Sequence, residues 1–211
     1  AMRGALLIGR GDVECGIAML PGLLQKMKDE RQDVVATFVA CSLAEGLIAV
    51  GRSAEALALI RTARRAARRG AETVQLPELL RVQAQALLSM SPTNEAGAIR
   101  LLVRSCRIAH RQSALSWELR SSLALARIQA QQGDLGQARQ SLLMIYEQFT
   151  EGFETQDLKA AEQLLRELDR TQDSHISIDV EDHSLGEPRS SAAYLEPRPV
   201  SDSGSATQRV D

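Results

Sequence analysis

Apolar positions recur every three or four residues through most of this chain. Leu57, Ile60, Ala63 and Ala67 form one such series, and Leu119, Leu123, Ala126 and Ala130 another. A spacing near 3.6 places each series on one face of an α-helix, with polar residues on the other face. The pattern breaks where Gly, Pro, Ser, Asp or Asn gather: Gly9 to Asp12, Gly51 to Ser53, Ser91 to Asn94, and Gly133-Asp134. Between the breaks the sequence predicts first helices at about 33–50, 76–90 and 115–132. Second helices follow at about 53–69, 94–111 and 134–150. Asp134 with Gln137 makes a capping box, and Ser53 and Thr93 are placed to cap their helices. Pro77 suits a first helical turn, where its missing N–H costs nothing.

The helices pair into units that repeat. Aligning the breaks brings Cys15, Ala56, Ala96 and Ala138 into register, at spacings of 41, 40 and 42 residues. Twelve residues before the last three lie Ala44, Ala84 and Ala126. A small residue on each arm of a helical hairpin lets two antiparallel helices approach closely. The pairs Ala44/Ala56, Ala84/Ala96 and Ala126/Ala138 are therefore the expected packing positions between helices. Enlarging such a contact typically costs about 1–3 kcal/mol.

The two ends differ from the middle. Residues 1–32 read as a partial first repeat: 1–8 as the last turns of a helix, and 12–30 as its partner, kinked or delayed by Pro21. Residues 33–170 hold three repeats and a terminal helix at 155–169, with Leu158, Ala161, Leu164, Leu165 and Leu168 on one face. A stack of repeats needs such a cap to cover its last apolar surface. From Thr171 the composition turns to Ser, Asp, Glu, Pro and Gly, and 171–211 is expected to be a disordered acidic tail.

Composition narrows the chemistry. Aromatic residues are only 3% of 211, so the core must come from Ala, Leu, Ile and Val, which favours helix packing over a β-sandwich. The net charge of −2 gives no global pull toward nucleic acid or an anionic membrane. No apolar run has the length of a membrane span, and no signal peptide is present, so a cytoplasmic protein is expected. Cys15, Cys41 and Cys106 have no metal-ligand spacing and read as small apolar residues in a reducing compartment. No G-x-x-x-x-G-K-S/T loop or G-x-S-x-G elbow occurs. His110, His175 and His183 lack the scaffold of a catalytic or metal site. The expectation is a protein without catalytic residues, cofactor or metal.

Arginine forms the most suggestive grouping. Arg100, Arg104, Arg107 and Arg111 follow i, i+4, i+7 and i+11, one stripe on a helix. Arg61, Arg64, Arg65 and Arg68 take corresponding positions one repeat earlier. Together they are a candidate basic patch for phosphates or an acidic partner.

The small-residue pairs and the turn glycines Gly51 and Gly133 resemble tetratricopeptide (TPR) repeats, lengthened in their first helices. Two stretches carry a closer resemblance: Ser116-Trp-Glu-Leu-Arg-Ser-Ser-Leu-Ala-Leu-Ala-Arg127 and Glu147-Gln-Phe-Thr-Glu-Gly-Phe-Glu-Thr-Gln-Asp-Leu-Lys159. They are similar to the C-terminal helical region of bacterial multidomain signalling ATPases, which carry a cyclase or winged-helix domain, an ATPase module and TPR-like repeats. The resemblance implies an all-α solenoid of antiparallel hairpins with a capping helix. It also implies a non-catalytic, regulatory role in binding a protein, a peptide or upstream domains of the same polypeptide. Arg81, Gln85, Glu118 and Gln129 are candidates for the binding surface. The alternative is contact with nucleic acid through the arginine patch, against which stand the net charge and the absence of interleaved aromatics.

Overall fold

A computed structural model describes residues 12–69 and 74–182, with side chains placed for 12–68 and 74–171. The expected helix end at 1–8 and the tail beyond 182 lie outside the described residues. The described residues form eight α-helices and one 3-10 turn, with no strand among them. They are α1 (Val13–Asp29), α2 (Asp33–Ala49), α3 (Ser53–Arg69), α4 (Leu76–Met90), α5 (Glu95–Arg111), α6 (Leu115–Gln131), α7 (Leu135–Tyr146) and α8 (Gln156–Asp182), with the turn at Pro92–Asn94. By contacts the chain divides into two units, 1–175 and 176–211. Helices α1 to α7 and most of α8 belong to the first.

From α1 to α7 each helix packs on the next, and α2, α4 and α6 also pack on one another in that order. Four of the connections repeat one device. Arg31, Gly51, Ser113 and Gly133 each take a left-handed backbone conformation, with φ of 54°, 77°, 53° and 87°. In each case the next residue's N–H bonds back across the helix end: Gln32 to Met27 O at 2.9 Å, Arg52 to Leu47 O at 2.8 Å, Ala114 to Ala109 O at 2.9 Å, Asp134 to Gln129 O at 3.0 Å. Carbonyls left orphaned by the helix end are thereby satisfied. Helices α1, α2, α3, α5 and α6 are each 17 residues long. A helix of that length and a three-residue turn give a step of twenty, and two steps give the forty-residue repeat seen in the sequence.

The connection between α4 and α5 departs from the others and shifts the register of α5. Ser91 is extended and accepts from Thr93 N–H through its hydroxyl, and Asn94 Nδ2 caps Leu87 O at 3.0 Å. The path from Ala84 into α5 is two residues longer as a result. Ala96 is exposed, and the small buried residue is Ala98, in one cluster with Ala84, Leu102 and Ile128. The Ala84/Ala96 pair read from the sequence is corrected to Ala84/Ala98. The fourth residue of every second helix is then small and buried: Gly16, Ala56, Ala98 and Ala138. Cys15, aligned with them in the sequence, is exposed. Ala44, Ala84 and Ala126 are fully buried on the first helices.

Other local expectations are revised as well. Helix α1 begins at Val13 without delay and carries Pro21 inside it, exposed. Ser53 spends its hydroxyl on Ser89 of α4 at 2.9 Å rather than on a cap. Asp134 does cap α7, accepting from Gln137 N–H at 3.3 Å. Helix α8 runs to Asp182, past the limit of 169 and into the expected tail. No Gly or Pro lies between Thr171 and Asp182 to stop it, and Thr171 bonds its hydroxyl to Glu167 O within the helix.

The core follows the repeats. Leu20, Leu24, Val39, Leu43, Leu57, Ile60, Leu79 and Val82 join α1 to α4. Leu119, Leu123, Ala138, Leu142, Leu158, Ala161 and Leu165 join α6, α7 and α8. Burying one such Leu fully contributes about 1.5–3 kcal/mol. Ser105 and Ser121, both fully buried, bond to each other at 2.7 Å, and Ser105 donates to Pro77 O, tying α4, α5 and α6 together. No helix among the described residues is long and apolar enough to cross a membrane.

Candidate functional site

One face of the first helices carries a mostly polar stripe at helical spacing. On α2 the stripe is Phe38, Ser42 and Glu45. On α4 it is Glu78, Arg81, Gln85 and Leu88. On α6 it is Trp117, Arg120, Ala124, Arg127 and Gln131. Each spacing is three or four residues, so each stripe is a single helix face. The first turn of α8 adds Gln156 and Asp157.

Charges on these stripes form a continuous network. Arg81 grips Glu78 with two bonds, Nε to Oε2 at 2.9 Å and Nη2 to Oε1 at 2.8 Å. Its Nη1 donates to Gln85 Oε1 at 3.1 Å, and its Nη2 also donates to Glu45 Oε1. Arg120 donates to Glu45 Oε1 at 3.1 Å and to Glu78 Oε1, and its Nε lies 3.6 Å from Asp157 Oδ2. Three carboxylates thus meet two guanidinium groups across α2, α4, α6 and α8. Arg81 and Glu78 are buried, and Arg120 and Glu45 are half-buried. Burial disfavours the charged form of Glu78, but pairing with Arg81 and Arg120 outweighs it and holds the carboxyl below its ordinary value. Burial likewise opposes the charge of Arg81, and Glu78 and Glu45 more than offset that. Cys41 lies beneath the network. Burial first, then Glu78 and Glu45, pushes its thiol well up, so it stays neutral and unreactive.

Two clefts open on this face, on either side of Arg120. The larger, about 470 Å³, has an apolar floor of Leu88, Leu102, Leu123 and Ile128 and a rim with Arg81, Gln85, Arg127 and Glu95. The smaller, about 340 Å³, lies among Phe38, Ser42, Glu45, Gln75, Trp117 and Asp157. Both volumes fall in the range of small-ligand and side-chain pockets.

Of the four residues expected on a binding surface, Arg81 and Gln85 line the larger cleft. Glu118 and Gln129 lie off that face. Glu118 is buried and pairs with His110 Nδ1 at 3.2 Å. Gln129 is half-buried and bonds Ser141 of α7. Glu45, Glu78, Arg120 and Asp157 were not anticipated. A signal for Glu45 exists in the sequence: it is the one charge in α2 after Asp33, and a lone charge inside an apolar helix needs a partner.

The arginine patch occupies the second helices. Seven of its eight residues are exposed, and Arg64 is half-buried. Burial, then the neighbouring charges of Arg68, Arg104 and Arg61, pull the Arg64 titration down. The arginines of α3 and α5 are therefore within electrostatic reach of each other. Arg64 donates to Gln83 and Arg65 to Thr62, and none of the eight forms an ion pair among the described residues. No group of three His, Cys, Asp or Glu able to hold a metal occurs among the described residues. No family model matches the chain, and no curated protein or solved structure matches it.

Proposed function

We propose that this chain is a TPR-like solenoid that binds a protein or peptide along the first-helix face. It is read as a regulatory scaffold of the kind that ends bacterial multidomain signalling ATPases, acting in the cytoplasm and without chemistry of its own. The observation that carries the reading is the pair of clefts on one face of α2, α4 and α6, held at fixed spacing by a shared ion network. Rigid walls lower the ordering cost of binding, so a modest interface suffices for micromolar affinity. The larger cleft offers an apolar floor with Arg127 at its rim, whose side chain makes no hydrogen bond or ion pair among the described residues. Such a surface suits an extended or helical segment with an apolar anchor. The natural occupant is a separate partner or an upstream domain of the same polypeptide.

Selection of displayed peptides against the full chain tests the reading, with Ala124→Trp as the blocking variant. Ala124 lines the larger cleft, and its replacement fills the space. Selected peptides should bind at micromolar concentration and lose binding to the variant, and the chain should not turn over ATP or GTP. Peptides indifferent to Ala124→Trp, or measurable nucleotide turnover, would overturn it.

A second reading rests on Arg64 and its three cationic neighbours, which favour an anionic partner, duplex nucleic acid included. Binding of that kind weakens steeply with salt. It would require DNA affinity at physiological salt that disappears when Arg100, Arg104 and Arg107 become Ala. The expected outcome is a weak background only.

A further inference from the structure

The smaller cleft between α2, α4, α6 and the start of α8 has features that the peptide-binding reading does not use. Phe38 is 47% exposed there, in a chain with only three phenylalanines. Trp117 faces the same space and is the only tryptophan. Gln75 contributes a buried amide oxygen that accepts no hydrogen bond.

The charges at this cleft point the same way. Glu78 is saturated: both of its oxygens accept from Arg81, and Oε1 accepts from Arg120 as well. Glu45 is engaged through Oε1 alone, which leaves Oε2 to accept. Asp157 meets Arg120 only across 3.6 Å, longer than a hydrogen bond, and its side chain is 47% exposed. Free acceptors on Glu45 and Asp157 thus border a space walled by two aromatic side chains. The lining sets Glu45, Glu78 and Asp157 against Arg120 alone, so its net charge is negative and an anion would be repelled. A neutral apolar group would strip water from Asp157 and from the free Glu45 oxygen without replacing it. A cation with several N–H donors satisfies both carboxylates and gains from the ring faces.

We infer that this cleft binds a cationic side chain, the arginine or lysine of a peptide partner. It packs against Phe38 and Trp117 and donates to Asp157 and Glu45. The inference deepens the peptide-binding reading by naming the chemistry of one anchor, and it rests on that reading only for the peptide.

Because Trp117 is the single tryptophan, its emission reports this site in the full chain. Titration with N-acetyl-arginine amide and N-acetyl-lysine amide should change it saturably at millimolar concentration, and the two arms separate guanidinium from ammonium. N-acetyl-norleucine amide and N-acetyl-glutamate amide should not. Asp157→Asn removes a charge-assisted bond and should weaken binding about tenfold. Phe38→Ala changes an exposed side chain, so the fold survives it, and it should weaken binding as well. An equal response to norleucine amide, no saturable response to either cation, or full affinity in both variants overturns the inference. The two readings fail separately. Selected peptides that bind with Trp117 emission unchanged remove this site and leave the first reading. Saturable binding of the cations with no peptide selected does the reverse.

Discussion

Arg81 in α4 and Arg104 in α5 belong to the two arms of one hairpin, and their surroundings are opposite. Arg81 is buried, and every strong interaction of its guanidinium is with a carboxylate or an amide oxygen. Arg104 is exposed, forms no ion pair among the described residues, and contributes only repulsion to Arg64. The pattern holds for the helices as wholes. Glu45, Glu78 and Asp157 answer Arg81 and Arg120 on the first helices, and Arg127, which is exposed, is the exception. Helix α3 has Glu55 alone and α5 has Glu95 alone, each in the first turn and far from the arginines later in the same helix. A charge buried inside the molecule must be matched during folding, whereas a charge in water need not be. The first-helix charges therefore define the architecture, and the second-helix charges remain available to whatever the solvent brings.

The sharpest way to break this contrast is to remove one side of the buried pair. Glu78→Gln leaves Arg81 facing a neutral amide in place of a carboxylate, and should destabilise the chain by about 3–5 kcal/mol. Arg81→Met should do the same, and the double variant should cost less than the two single changes together, because each partner's loss is what strands the other. Urea denaturation of the full chain measures all three. Additive effects would mean that the two side chains do not depend on each other.

Acid should act on the same pair. The Glu78 carboxyl titrates below its ordinary value of 4.5 in the folded chain. Its contribution is fully present above that value and is lost as pH falls through the lower folded value. Wild type should lose stability on acidification through this window, and Glu78→Gln should show less of that loss. Identical acid profiles would show that the pairing with Arg81 and Arg120 does not set the titration.

Smaller effects come from the buried alanines, and they separate the two faces of a single second helix. Ala98→Leu and Ala138→Leu force methyl groups into full contact and should each cost about 1–3 kcal/mol. Ala96→Leu, two residues away and exposed, should stay within about 0.5 kcal/mol. A large effect at Ala96 would restore the register first read from the sequence.

That register error shows where sequence reading reaches its limit. The helix ends of α2 to α6 were legible to within a residue, because short breaks rich in Gly, Pro, Ser or Asn interrupt a regular apolar and polar rhythm. Glycine marked two of the four turns that share this device, Gly51 and Gly133. Arg31 and Ser113 take the same conformation with no glycine to announce it. The shift at Ala96 arises from the Ser91–Asn94 connection, whose extended residue and 3-10 turn add length that composition does not reveal. The candidate surface was half legible. Polarity on a first helix picked out Arg81 and Gln85, which line the larger cleft, but one position separates Glu118 from Trp117, and one position on a helix is a rotation of about 100°. Asp157 could not be assigned at all, since its meeting with Arg120 depends on how α8 packs on α6.

The smallest effect tests the other side of the contrast. If the arginines of α3 and α5 only repel one another, removing one should help the fold. Arg104→Gln keeps a good helix former and an exposed polar side chain while deleting a charge near Arg64. Like charges at this range are unfavourable by a few tenths of a kcal/mol, so the variant should be about 0.2–0.5 kcal/mol more stable at low salt. At about 1 M salt the screening length shrinks to roughly 3 Å and the gain should vanish. Urea, being uncharged, lets the two ionic strengths be compared directly. Gln83 accepts from Arg64 in either case, so the gain reports charge and not a lost bond. A variant less stable than wild type by more than about 0.5 kcal/mol, beyond the usual range of surface changes, would mean that Arg104 holds a stabilising partner. The two classes of arginine would then differ in degree and not in kind.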